Sequence, residues 1–254
     1  MDEYKKDNVV IILALISIGL FLYYIHYLIF SNLYGTVSSI FFAVAFTPVQ
    51  IILNILVIDK TVDQKEKIQH DKKINILVGT FFSEFGTDFL TDLVKGDDNI
   101  QKILPDNMVS KCLREECFEN LKQLASSYEY VLNIEKINLV EIKEKLYNKN
   151  EFLIDLMTNA EVKEDQSFTD LLISLIHLND EIKARYNDGK LEKYEIIHIL
   201  YDMRIVYKKL TIEWINYMIK LKGTYKQLFV RAMITSPFDN RSKKEKDEEF
   251  LQLK

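Results

Sequence analysis

Glycine and proline are scarce in this chain, at seven and three residues in 254. Both residues punctuate helices and populate tight turns, so their rarity argues against a fold of many β-hairpins and favours long helices. The glycine-rich signatures are missing as well. There is no Walker loop, no G-x-G-x-x-G after a strand and no G-x-S-x-G elbow, and the zinc-protease pattern H-E-x-x-H is also absent. Nothing therefore warrants naming an enzyme class. A basic excess is lacking too. Against 33 Lys and Arg stand 38 Asp and Glu, which gives no support to duplex nucleic-acid binding. The two cysteines, Cys112 and Cys117, lie roughly 140° apart around one expected helix, from its 3.6-residue turn. They read as reduced thiols, since two thiols so placed make neither a mutual disulfide nor a closed zinc site.

Long apolar runs, by contrast, are prominent. Val9–Phe30 and Thr36–Ile58 contain no Asp, Glu, Lys or Arg and are joined by the short Ser31–Gly35. Each exceeds the ~20 residues a helix needs to cross a bilayer, which predicts a transmembrane hairpin. The first run is far longer than a signal-peptide core, and no Ala-x-Ala-like site follows it. Lys5 and Lys6 precede the hairpin and Lys60, Lys65, Lys67, Lys72 and Lys73 follow it. Positive residues favour the cytoplasmic side, so both termini are expected there, in a multi-pass protein of the cell membrane. Ser39, Ala43, Thr47, Gln50 and Asn54 recur at steps of three and four in the second run, forming one small and polar face. Such a face packs against another helix or a second copy, or it lines a pore assembled from several hairpins. His26 falls near the outer boundary. Neither span holds an Asp, Glu, Lys or Arg, the default mark of an ion or proton pathway.

After the second run the chain carries mixed charge. Asp59–Lys73 is expected to continue the second helix. Ile74, Leu77, Val78, Phe81, Phe82, Phe85, Phe89 and Leu93 then give a broad apolar face for a domain core. Glu84, Asp88 and Asp92 form a stripe, read as a solvated face. Gly79, Ser83 and Gly86 offer a flat patch for close packing. Gly96–Asn107 reads as a linker. Helices are expected at about Met108–Leu132, Glu135–Lys149, Glu151–Asn159, Phe168–Tyr186, Leu191–Leu221 and Thr224–Thr235. Ser167 with Asp170 reads as a capping box, and Asn187–Gly189 as a helix stop. Leu191–Leu221 is apolar on two sides. One side is Ile196, Leu200, Met203, Tyr207, Leu210, Trp214 and Leu221, and the other is Ile197, Ile205, Ile212, Ile215 and Ile219. That pattern suits a central helix, or one that also serves an oligomer interface.

The one suggestive metal spacing is Glu195-x-x-His198, since di-iron bundles use Glu-x-x-His on two helices. A second copy is absent, and Glu195, His198 and Asp202 lie off the main apolar stripe, so a solvated cluster is expected. His177 reads as a histidine at the edge of the core. No catalytic, cofactor-binding or metal residue is assigned, and no cofactor is expected.

The segments Leu77–Leu90, Ser167–Arg185 and Glu213–Asp239 resemble a family of uncharacterised prokaryotic membrane proteins. Those proteins have a two-helix N-terminal anchor and a helical cytoplasmic part. Where they often carry Tyr-Pro-Tyr, this chain has Tyr225-Lys226-Gln227. The resemblance implies the architecture and no activity.

The expectation is an all-α protein: a two-helix transmembrane hairpin over 1–60, a helical connector over 61–95, a cytoplasmic multi-helix bundle over 96–240 and a charged tail over 241–254. The expected partners are the lipid bilayer and either a second copy or another membrane protein, with no nucleic acid. A binding, sensory or scaffold role is expected, and a subunit of a channel or transport assembly is the alternative. A metal-dependent enzyme is the remaining one.

Overall fold

The structure, a computed structural model, describes residues 17–29, 32–104, 118–186, 191–242, 244–246 and 248, with backbone alone at 56–66 and 226. Among these residues every regular element is helical and no strand occurs, so the protein is all-α. The chain forms two compact units, Met1–Lys67 and Ile68–Lys254. The cysteines, residues 9–16 and 30 of the first apolar run, Ser31, the Asn187–Gly189 stop and the end of the expected linker lie outside the described residues.

The first unit contains α1 (Ser17–Ile29) and the apolar part of α2 (Leu33–Phe81). Helix α2 starts at Leu33, inside the Ser31–Gly35 turn expected. Asn32 accounts for this by capping α2: its Oδ1 accepts the Gly35 N–H at 3.0 Å, and its carbonyl accepts the Thr36 N–H at 3.0 Å. His26 Nδ1 lies 3.1 Å from the hydroxyl of the buried Thr36, tying α1 to the start of α2. Among the described residues, Leu33–Ile55 is the helix long and apolar enough to cross a membrane, by length and composition, while α1 is described for a shorter apolar stretch. The polar face from Ser39 to Asn54 is exposed along its whole length. Ser39 and Thr47 donate their hydroxyls to the carbonyls of Gly35 and Ala43, at 2.9 and 2.8 Å, within the helix.

The second unit is built around phenylalanines. Ile74, Val78, Phe81, Phe82, Phe85, Phe89 and Leu93 are all buried, as their spacing predicts, and Leu77 is half-buried. The helix does not run through them unbroken. A π-helical turn, Phe82–Gly86, separates α2 from α3 (Thr87–Lys95). Glycine is required at its end, because a Cβ on Gly86 would sit 2.5 Å from Phe81 Cε1 and 2.9 Å from Phe82 Cδ1. As far as it is described, through Leu104, the expected linker is instead part of the core. Ile100 and Leu104 are fully buried, and the Asn133 N–H donates to the Gly96 carbonyl at 2.8 Å. This packed unit also takes in residues 68–95 of the expected connector.

The following helix is described as α4 (Phe118–Ser127) and stops five residues before the expected Leu132. The chain then runs without regular secondary structure through Tyr128–Leu132, where two tyrosines find other partners. Tyr128 donates to the buried Asp97 carboxylate at 2.9 Å, and Tyr130 to the Ala125 carbonyl at 3.0 Å. Next come α5 (Leu139–Asn148), α6 (Asn150–Thr158) and α7 (Ala160–Glu164).

The central pair is α8 (Gln166–Arg185) and α9 (Lys193–Thr224). They lie antiparallel, and their facing polar edges set the register. Lys220 meets Asp165, Ser167 donates to Glu213, and Lys209 donates to the Asp170 carbonyl and the Ser174 hydroxyl. Helix α8 is capped by Asp165, which accepts the Phe168 N–H at 3.1 Å, and not by Ser167, whose hydroxyl is committed to Glu213. Helices α5, α6 and α7 pack on α8, while α3, α4 and α10 (Lys226–Ile234) pack on α9. The first apolar face of α9 is buried from Met203 onward. Its second face is covered only in the C-terminal half: Ile215 is buried, Ile212 and Ile219 are half-buried, and Ile197 and Ile205 are exposed. Trp214 is buried at the heart of the unit, edge-on to Phe238 at 5.1 Å.

Candidate functional site

Two surface features of the second unit concentrate chemistry. The first is a double cleft beside the π-turn. One part, of about 570 Å³, is bordered by Phe82, Ser83, Thr87, Tyr217 and Arg231. The other, of about 530 Å³, is bordered by Asn75, Gly79, Ser83, Tyr217 and Tyr225. Tyr217 divides them, stacked on Phe82 at 5.1 Å, and burial raises its phenol pKa. The flat patch anticipated at Gly79 and Ser83 is thus the floor of these clefts, with Tyr217 Oη 3.4 Å from where a Cβ on Gly79 would lie. Gly86 belongs to its own phenylalanine cluster.

The second feature lies on the polar edge between α8 and α9. Glu181, His198 and Asp202 each offer one ligand atom, and these three atoms lie within 4.8 Å of one another. His198 Nε2 is 3.3 Å from Glu181 Oε2 and 3.9 Å from Asp202 Oδ2. His177 Nε2 also lies 3.9 Å from Asp202 Oδ2. The local cause is periodicity: His177 and Glu181 are four apart on α8, and His198 and Asp202 are four apart on α9. Each pair therefore shares one helix face, and the antiparallel register sets the two pairs opposite each other. Arg185 Nε donates to Glu181 Oε2 at 2.8 Å, and this bond, with the charge of His198 and His177, holds the Glu181 carboxyl below the usual range.

Sequence spacing pointed at His198 but paired it with the wrong acid. Glu195 Oε2 accepts the Glu192 N–H at 2.8 Å, completing the cap of α9, and Glu195 lies outside the three-residue cluster. His177 is more than half exposed, not at the edge of a core. Glu181 was missed because its partners lie across the helix pair. The paired spacings H-x-x-x-E and H-x-x-x-D were the signal that could have found it.

Other charged groups have structural partners. The acidic stripe is neutralised by α5 and its C-cap: Lys149 meets Glu84 at 3.1 Å, and Lys145 meets Asp88 at 2.7 Å and also contacts Asp92. Burial alone would depress the Lys145 ammonium, but Asp88, Asp92 and Glu141 outweigh it and raise its pKa. His70 and Lys73 both bind Glu161, at 2.6 and 2.5 Å, and lower its pKa. Glu213 is buried among helices, and that burial raises its carboxyl pKa against the opposing hydrogen bonds from Ser167 and Asn216.

Two family descriptions match consecutive parts of the chain. Residues 3–62 match the N-terminal helical domain of MJ1433, and residues 70–234 match the C-terminal helical domain of the uncharacterised protein MJ1433. The break between the matches coincides with the boundary between the two compact units. "Uncharacterized protein MJ1433" of Methanocaldococcus jannaschii is 35% identical over 239 residues, covering 94% of this chain and 96% of that one. No solved structure matches. By both the domain matches and the full-length identity, the chain belongs to the MJ1433 family of uncharacterised helical proteins.

Proposed function

We propose that the chain is a membrane-tethered helical module that works by binding, with its Ile68–Lys254 unit held at the cytoplasmic face of the cell membrane. The observation that carries this reading is the exposure of α2. Leu33–Ile55 has no charged side chain, yet only 6% of its most apolar window is buried. Phe41, Phe42 and Val44 are exposed by 79, 73 and 67%. Leaving one such side chain in water forgoes about 1.5–3 kcal/mol, so a whole helix of them needs an apolar surrounding. A bilayer supplies it over the length of one helix. The uncharged first run before it supports a hairpin, and the lysines on both flanks support cytoplasmic termini.

The exposed polar face Ser39–Asn54 supports a second copy as partner within the membrane, since small residues allow close helix approach and amides bond across helices. The same face supports the alternative of a channel subunit lined by Gln50 and Asn54. Alkaline extraction of membranes containing the full chain tests the anchor. The protein is expected to remain in the pellet, and release into the supernatant overturns the reading. Sizing in nanodiscs tests self-association, and unchanged ion flux for the Gln50→Leu/Asn54→Leu variant removes the channel.

A further inference from the structure

We infer that Glu181, His198 and Asp202, with His177 beside them, form a binding site for one divalent first-row transition cation such as Zn²⁺. The inference starts from Asp202. This carboxylate is 7% exposed, and its Oδ2 is buried without a hydrogen-bond partner. A buried acceptor left unpaired is costly, so an oxygen of this kind calls for something to meet it. Two imidazole Nε2 atoms, from His177 and His198, face that oxygen, and both stand at 3.9 Å. That separation is too long for a direct hydrogen bond. A simple ion pair would close it, because both histidine side chains are about half exposed.

The spacing suits an atom bonded to both sides. Metal–nitrogen and metal–oxygen bonds near 2.0–2.2 Å, opened to a tetrahedral angle, put neighbouring ligand atoms about 3.3–3.6 Å apart. The distances of 3.3 Å between His198 and Glu181, and 3.9 Å between His198 and Asp202, reach that range with small rotations of half-exposed side chains. Imidazole mixed with carboxylate is a donor set for Zn²⁺, Mn²⁺, Fe²⁺ or Co²⁺ and not for the oxygen-only sites of Ca²⁺. Arg185, donating to Glu181 Oε2 at 2.8 Å, fixes that carboxylate from outside the cluster, as outer partners of metal ligands do. The site lies at the surface, which leaves positions for water or for a donor from a partner. Both helices contribute two residues, so a bound ion would cross-link the central pair of the fold.

The test titrates Zn²⁺ or Co²⁺, as the only added ligand, into the purified full-length chain in detergent. Calorimetry is run on a Cys112→Ser/Cys117→Ser background, so that thiols do not compete. One ion per chain is expected, with His198→Ala and Asp202→Asn each weakening affinity at least tenfold. Glu195→Ala should leave affinity within twofold, because Glu195 only caps α9. Co²⁺ should develop a visible absorption band that His198→Ala abolishes. His198 is about half exposed, so its replacement leaves the core intact, and circular dichroism checks this. Absence of saturable binding up to millimolar metal, or binding indifferent to both His198→Ala and Asp202→Asn, overturns the inference.

Discussion

Replacing Gly86 by Ala should destabilise the second unit, although Gly→Ala within a helix ordinarily stabilises. Two effects compete. Alanine gains roughly 1 kcal/mol over glycine in a helix interior. Against this, the new Cβ meets Phe81 at 2.5 and 3.0 Å and Phe82 at 2.9 Å, well inside the ~3.5–4.0 Å optimum for carbon contacts. Phe81 has little room to yield. It is fully buried, and the rings of Phe82, Phe85 and Phe168 stand edge-on to it at 5.2, 5.8 and 5.2 Å. Overpacking of this kind costs about 1–3 kcal/mol. Gly223→Ala provides the control, because nothing lies within 4 Å of a Cβ there and the position is also helical. The propensity term then largely cancels between the two variants, leaving a separation of about 1–3 kcal/mol. At roughly 2–4 °C per kcal/mol for a unit of this size, that amounts to several degrees in Tm. Thermal melts by circular dichroism of the full chain in detergent read it directly. A Gly86→Ala protein as stable as Gly223→Ala would refute the packing described around the π-turn.

Further expectations follow from the same structure. Burial raises the folded-state pKa of Glu213, so the folded chain holds its proton in a pH window starting at the ordinary glutamate value, where the unfolded chain has lost it. Stability therefore falls as pH rises through that window, by at most about 1.4 kcal/mol per pH unit, and levels off above it. Glu213→Gln keeps an acceptor for Ser167 and should flatten this decline in Tm measured against pH; an unchanged slope would count against it. Lys145→Ala leaves the mostly buried Asp92 with Lys95 alone and should cost about 1–2 kcal/mol in chemical denaturation, whereas a neutral result would show the lysine to be dispensable. Trp214→Ala should cost about 3–5 kcal/mol, followed by circular dichroism because the chain's one tryptophan is lost; a loss under about 1 kcal/mol would contradict its central place.

Helical class was legible because it rests on local signals: few glycines and prolines, and apolar residues at steps of three and four. The phenylalanine face from Ile74 to Leu93 and the buried side of α9 were readable for the same reason. Features that depend on distant partners were not. Helix α4 ends early because Tyr128 and Tyr130 bind Asp97 and Ala125, and Gly96, Asp97-Asp98 and Pro105 suggest a linker where Ile100 and Leu104 are core. Asp165 displaced Ser167 as a cap because Ser167 had a partner 46 residues away. The histidine–carboxylate cluster was half visible. His198 and Asp202 share a helix face by spacing alone, but Glu181 and His177 join them only through the register of α8 against α9.

The claim that the first unit spans a membrane and leaves the second on the cytoplasmic side is tested most directly by labelling single cysteines in intact cells. Tyr34→Cys, exposed in the first turn of α2, and Ser242→Cys, near the C-terminus, are made separately in the Cys112→Ser/Cys117→Ser background. With a membrane-impermeant maleimide, position 34 should label in intact cells and position 242 only after lysis. Labelling of both positions only after lysis, with the protein recovered in the soluble fraction, would contradict the account.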